Sequence, residues 1–273
     1  MRSRAFTLVE LLVTISVATV LMAILMPVLA GARKCGKAIF CLSNLRQMAI
    51  AAANYTLSND DYYPLAQYWQ NRGSTDYEYC WDFTRVRNNG QSEIVPGLLW
   101  QGDTIEKVHQ CPSYKGSDNW WGLPFTGYNY NTSYIGHGQG ESVSSSYTGS
   151  VVPNPSFPSY KIVMSAKTTQ VKRPGSCALF GDGHYAGGAN KFMRSPWHWD
   201  GDYDFTIRKS GTQGYRHNGM TNVAWCDGHV TSQKELYTES IDKVRLQIER
   251  YNEVTRDCKI GFLSPDNSAY DTE

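Results

Sequence analysis

The chain has 273 residues and a net charge of +1, with 41% apolar and 19% charged residues. That composition supports a packed core and excludes wholesale disorder. The near-neutral balance supplies no basic surplus for holding nucleic acid. The length fits one domain plus an extra element, or two small domains.

The first five residues, Met1-Arg2-Ser3-Arg4-Ala5, are short, polar and basic. Phe6 to Ala32 then carries a single charge, Glu10. About 20 apolar residues cross a bilayer as a helix. The basic leader stays cytoplasmic, which places the remainder outside. Three readings compete: a cleaved signal peptide with Ala30 or Ala32 before the cut, a plain signal anchor, and a prepilin leader. The apolar run exceeds the ~7–15 residues of a signal-peptide core.

Ala5-Phe6-Thr7-Leu8-Val9-Glu10-Leu11-Leu12-Val13 resembles the prepilin peptidase recognition sequence of type IV pilins and type II secretion pseudopilins. The resemblance implies a cut between Ala5 and Phe6 and N-methylation of Phe6. Ala5 stands where the family usually has Gly, and Pro27 where many members place a helix-loosening proline. A carboxylate at the centre of a membrane helix costs about 2.5–3.5 kcal/mol, so a lone intramembrane acid needs a partner. In the family that partner is the free amine of a neighbouring subunit's first residue, here Phe6. The bland alternative is that Glu10 reaches back to the cytoplasmic interface.

Beyond the apolar run, Ala38, Cys41, Leu42, Leu45, Met48, Ala49, Ala52 and Tyr55 recur at steps of three and four, one face of a helix. Asn59-Asp60-Asp61 and Pro64 mark its stop. The helix is expected over 6–58, roughly 80 Å long at 1.5 Å per residue, too long for one head to bury. The expected architecture is α+β and pilin-like. A long N-terminal helix, its first half spanning a membrane, packs on a small antiparallel-sheet head with long loops at 59–273.

In the head, Tyr62 to about Pro158 is rich in Gly, Ser, Asn, Tyr and Trp. Ser92–Leu99 and Ile105–Val108 are expected to be ordered, and much of Gly138–Pro158 to be loop. The aromatic, Asn-rich stretches around 62–68, 77–81, 120–134 and 197–203 suit either sugar stacking or core packing. Two strand-like runs, Cys177–Phe180 and Thr221–Cys226, lead into Asp182-Gly183-His184 and Asp227-Gly228-His229, and a strand entering Asp-Gly is a strong hairpin signal. Helical spacing of Tyr237, Ile241, Val244, Ile248 and Tyr251 predicts a helix over about 234–254, followed by a frayed polar tail at 264–273.

His217 is followed after nine residues by Asp227-Gly228, which resembles the "H-X9-DG" head found with prepilin-type N-termini in planctomycete-like bacteria. Cys41-Leu42-Ser43-Asn44-Leu45-Arg46-Gln47, Cys111-Pro112-Ser113, Gly127–Asn131 and the Arg173-Pro174 run fit that layout. The resemblance implies assembly rather than a ligand.

Seven cysteines are present, Cys35, Cys41, Cys80, Cys111, Cys177, Cys226 and Cys258, none at Cys-x-x-Cys spacing, which disfavours a zinc ribbon. In an exported head oxidised pairs form, and an odd count leaves a thiol free. The first expectation is a Cys41–Cys111 disulfide tying helix to head, worth about 4 kcal/mol on the chain-entropy model. The alternative is two buried thiols. Asp182, His184, Asp227 and His229 invite a metal reading, with oxygens suiting Ca²⁺ and imidazoles Zn²⁺ or Ni²⁺. The plainer reading is two turns with surface histidines and His217 bonding near the Asp227 turn. No cofactor is expected beyond a Ca²⁺ of the kind some pseudopilins hold.

No GxSxG, P-loop or dinucleotide fingerprint is present, so the expectation is not an enzyme. The resemblance implies a pseudopilin or pilin-like subunit of a type II secretion or type IV pilus-like filament. Its implied partners are prepilin peptidase, copies of itself and other pseudopilins, an inner-membrane assembly platform and membrane lipid. Its implied place is the inner membrane, single-pass, with the head outside. An exported binding module, for example for glycans, is the alternative.

Overall fold

The computed structural model describes residues 7–101, 106–116, 122–123, 125–140, 151–157, 161–197, 205–255 and 258–273. Helix α1, Leu8–Ser58, is 51 residues long and runs unbroken through Pro27. At 1.5 Å per residue it extends about 77 Å. Its apolar N-terminal part has no intramolecular burial at all: the most hydropathic 18-residue window is 0% buried. Gly31 and Gly36 follow that part with nothing within 4 Å of where a Cβ would stand.

The buried side of α1 begins at Cys41 and continues through Leu45, Met48, Ala49, Ala52 and Thr56. These positions are the stripe that the three-and-four spacing predicts. Leu45 and Met48 are fully buried, each worth about 1.5–3 kcal/mol against exposure. The helix ends at Asn59, whose side-chain amide donates to the Tyr55 carbonyl. Asp60 and Asp61 follow at φ 50° and 65°, left-handed geometry that ends the helical run.

The head opens with a four-stranded antiparallel meander: β1 Gln67–Arg72, β2 Thr75–Cys80, β3 Phe83–Asn88 and β4 Gln91–Pro96. Composition had marked this region as loop-rich. Its turns are nonetheless legible: Asn89 and Gly90 have φ 47° and 80° between the paired residues Asn88 and Gln91, the geometry for which Asn-Gly is selected. Tyr68 and Tyr79 are cross-strand partners stacked 4.8 Å apart.

The remaining strands are β5 Asn129–Asn131, β6 Gly138–Gly140, β7 Val151–Pro153, β8 Lys161–Val163, β9 Ala178–Gly181, β10 Phe192–Met193, β11 Gln213–Tyr215, β12 Thr221–Trp225, β13 Val230–Gln233 and β14 Lys259–Gly261. The central sheet has the order β10-β5-β9-β12-β13, antiparallel except for β10 with β5.

β12 explains the layering. All five of its residues are buried, so it lies between two covers. Ala224 packs into the core under α1, while Val223 and Trp225 join the core under helix α2, Asp242–Val254. Alternation along one strand thus serves both faces. Small residues, Ala224 against Ala49 and Ala52 of α1, belong to the same core and let helix and sheet approach closely.

Two expectations are corrected. The helix predicted over 234–254 starts only at Asp242, because Tyr237 pairs with Phe262 in an antiparallel bridge. The segment predicted to fray at 264–273 is anchored: Tyr270 is fully buried and its hydroxyl accepts from the Leu263 N–H. Of the aromatic stretches, Trp81 is a core residue that donates its indole N–H to the Lys191 carbonyl, while Trp197 is 39% exposed.

Two buried ion pairs lie inside the head. Lys191 meets Asp82 at 3.0 Å with both side chains about 5% exposed, and Arg85 meets Glu78. His109 is enclosed by Trp81, Phe83 and Trp100 and accepts the Trp100 indole N–H through Nε2. Burial pushes its pKa down to about 4, against ~6.5 in the unfolded chain. Between those values the unfolded chain binds a proton that the fold refuses. The stability His109 supports is therefore complete above about pH 6.5 and is lost as pH falls toward 4, on the order of 3 kcal/mol. Denaturant midpoints of the detergent-solubilised protein between pH 7 and 4.5 check this. His109→Gln, which does not titrate, should flatten the slope by up to one proton.

Candidate functional site

Two regions carry the chemistry. The first is the start of α1. Ala5 and Phe6, the expected cleavage pair, lie outside the described residues. Thr7 is the N-cap, its hydroxyl accepting from the Glu10 N–H at 3.2 Å. The Glu10 carboxylate accepts in return from the Thr7 N–H at 2.8 Å. This is a reciprocal capping box. The Thr7-x-x-Glu10 spacing carries that signal in the sequence. Glu10 therefore holds a local role within one chain, satisfying orphan N–H groups at a helix end.

The second region lies where α1 meets the head. Asp182 follows β9, whose Gly181 is paired with Val223 of β12. His217 lies in the turn before β12 and closes a small bridge with Met220 around Asn218 at φ 55°. Cys41 projects from α1, and Cys111 stands just after a short 3-10 turn ending at His109. One sulfur, nitrogen or carboxylate oxygen from each of Cys41, Cys111, Asp182 and His217 lies within 4.8 Å of every other, and all four residues are buried. The sulfurs are 4.0 Å apart and unbonded. The Cys41 thiol donates to Asp182 Oδ1 at 3.0 Å. His217 Nε2 is 3.2 Å from Asp182 Oδ2 and 3.7 Å from Cys111 Sγ.

Asp182 is fully buried and carries this arrangement. The Asn222 N–H donates to it at 2.8 Å, and Arg216 stands 3.6 Å away. Burial alone would raise its carboxyl, but the Arg216 charge and the His217 hydrogen bond override burial and hold it below the ordinary value. Burial raises the Cys41 thiol well above its ordinary value. Cys111 goes the other way: burial opposes ionisation, yet the hydrogen bond with Cys41 and the Arg216 charge draw it down to about 5. Beside the cluster a cavity of 560 Å³ is lined by Lys34, Lys37, Lys115, His184 and Arg216.

Asp182, His184, Asp227 and His229 do not come together at one point. β9 and β12 are antiparallel, so Asp182 ends one strand beside the start of the other, while Asp227 lies at the far end, its N–H donating to the Pro174 carbonyl. The Asp227-Gly228 turn closes the β12–β13 hairpin with Gly228 at φ 86°, as the turn signal predicts. Its Asp227 pairs only locally with His229, both exposed. Gly228 offers its carbonyl to Arg46 of α1. Asp182-Gly183 is no hairpin turn. His184 bonds the Tyr251 hydroxyl at 3.0 Å and is not part of the cluster. His217 bonds Asp182, not the Asp227 turn. His217 and Asp227-Gly228 bracket β12 at its two ends, and both touch α1's side of the sheet.

Residues 1–26 match the family described as the prokaryotic N-terminal methylation motif. The N-terminus is of the prepilin type. With the apolar helix behind it, the chain is a pilin-like prepilin whose α1 is long and apolar enough to cross a membrane. Comparison with curated proteins and with solved structures yields no match. The prepilin identity therefore rests on the N-terminus, and the head must be interpreted from its own geometry.

Proposed function

We propose that this prepilin is a structural subunit of a type II secretion or type IV pilus-like filament. Prepilin peptidase cuts it between Ala5 and Phe6, and Phe6 is N-methylated. The subunit waits in the inner membrane with its head outside. It then joins copies of itself and other pseudopilins through an inner-membrane assembly platform. The observation that carries this reading is the bare half of α1: apolar side chains such as Leu11, Ile15, Leu21, Leu25 and Leu29 are each more than half exposed, directly behind the methylation motif. Lipid or neighbouring helices must cover them. In the filament Glu10 exchanges its bond to Thr7 for the Phe6 amine of an adjacent subunit.

N-terminal mass spectrometry of protein from native membranes tests the first step. The expected mature chain begins at N-methylated Phe6. A start at Met1, or after Ala30 or Ala32, overturns the proposal.

A further inference from the structure

We propose that Cys41, Cys111, Asp182 and His217 bind one structural Zn²⁺ that bolts α1 to the head. Zinc takes sulfur at about 2.3 Å, imidazole nitrogen at about 2.0–2.1 Å and carboxylate oxygen at about 2.0–2.2 Å, tetrahedrally. Such a tetrahedron has a sulfur–sulfur edge of about 3.8 Å, sulfur–nitrogen and sulfur–oxygen edges of about 3.6 Å, and a nitrogen–oxygen edge of about 3.4 Å. The corresponding separations here are 4.0 Å for the sulfurs, 3.7 Å for Cys111 to His217, 3.0 Å for Cys41 to Asp182 and 3.2 Å for His217 to Asp182. One donor atom from each residue lies within 4.8 Å of the others, with Cys41 nearest Asp182 Oδ1 and His217 nearest Oδ2, so small side-chain shifts bring the four onto one ion.

The donor set is chemically suited to that ion. Two thiolates, an imidazole and a carboxylate select zinc over calcium or magnesium. Four protein ligands with no open position make a structural rather than a catalytic centre. Charge balances as well: Zn²⁺ with two thiolates and a carboxylate sums to −1, and Arg216, 3.6 Å from Asp182, brings the group to zero, as a buried site requires. Binding displaces protons still held by the ligands to solvent, so affinity rises with pH. A disulfide between Cys41 and Cys111 would consume the same sulfurs and leave the Asp182–His217 pair with no ligand to share. The ligands come from four separated segments, which is why no Cys-x-x-Cys spacing announces them.

The test uses the full chain, purified in detergent without chelator. Elemental analysis is expected to find one zinc per chain, falling at least tenfold in Cys41→Ser and in Cys111→Ser but unchanged in Cys177→Ser. If the first two variants do not fold, wild-type protein exchanged into Co²⁺ decides. Sulfur-to-cobalt charge transfer with intense tetrahedral d–d bands supports the site. Wild-type protein without stoichiometric zinc and without those bands overturns it, as does a Cys41–Cys111 linked peptide in a non-reducing digest.

Discussion

Replacing Glu10 with valine leaves membrane insertion intact and reduces filament formation at least tenfold. A buried carboxylate costs about 2.5–3.5 kcal/mol at the centre of a membrane helix, so its removal does not hinder insertion. On the proposed assembly, what it removes is the acceptor for the Phe6 amine of a neighbour. The capping box supplies the control, because Glu10 also bonds Thr7 within its own chain. Thr7→Ala takes away that cap, at about 0.5–2 kcal/mol for the helix end, and keeps the carboxylate. Filaments counted by electron microscopy should persist in Thr7→Ala and vanish in Glu10→Val. Equal loss in both would assign Glu10 to helix capping, and normal filaments from Glu10→Val would remove the ion pair from the assembly mechanism.

Asp182→Asn is expected to destabilise the head by about 3–5 kcal/mol, the cost of breaking a buried pair and stranding one charge. The stranded charge is Arg216, whose side chain is 4% exposed. Its other contacts include the carbonyls of Gly127 and Gly183 and the face of Tyr114, which carry no full charge to neutralise it. Arg216→Met in the same chain should recover part of the loss by withdrawing that charge. Tryptophan fluorescence during denaturation of the solubilised protein measures both. A shift below about 1 kcal/mol for Asp182→Asn would mean that water, not the carboxylate, solvates Arg216.

The features legible in the sequence are those set by local rules. The apolar run and the three-and-four stripe from Cys41 to Ala52 locate α1 and its buried side, because helix periodicity needs no knowledge of the partner. The Asp227-Gly228 turn is likewise local. Asp182-Gly183 has the same letters and a different fate. There glycine is required because a Cβ would stand 2.3 Å from the Asn190 carbonyl oxygen, a tertiary constraint that no short window contains. The cluster at Asp182 was hidden for the same reason, since Cys41 and Asp182 are 141 positions apart. The anchored segment at Ser264–Tyr270 reads as polar and therefore loose, yet one tyrosine, Tyr270, filling the core under α2 holds it.

Gly31 and Gly36 lie between the apolar part of α1 and its first buried residue, Cys41, in a stretch where Asn218 and Asn222 of the head already reach Cys35 and Ala38. Each costs a helix about 1 kcal/mol relative to alanine, and a Cβ at either would meet nothing within 4 Å. With Pro27 just before it, this short stretch makes a compliant segment of an otherwise stiff rod. A subunit embedded upright in a flat bilayer and one wrapped around a narrow cylinder hold their heads at different angles. The same chain can meet both by bending here elastically, with the head and its junction to α1 moving as a unit.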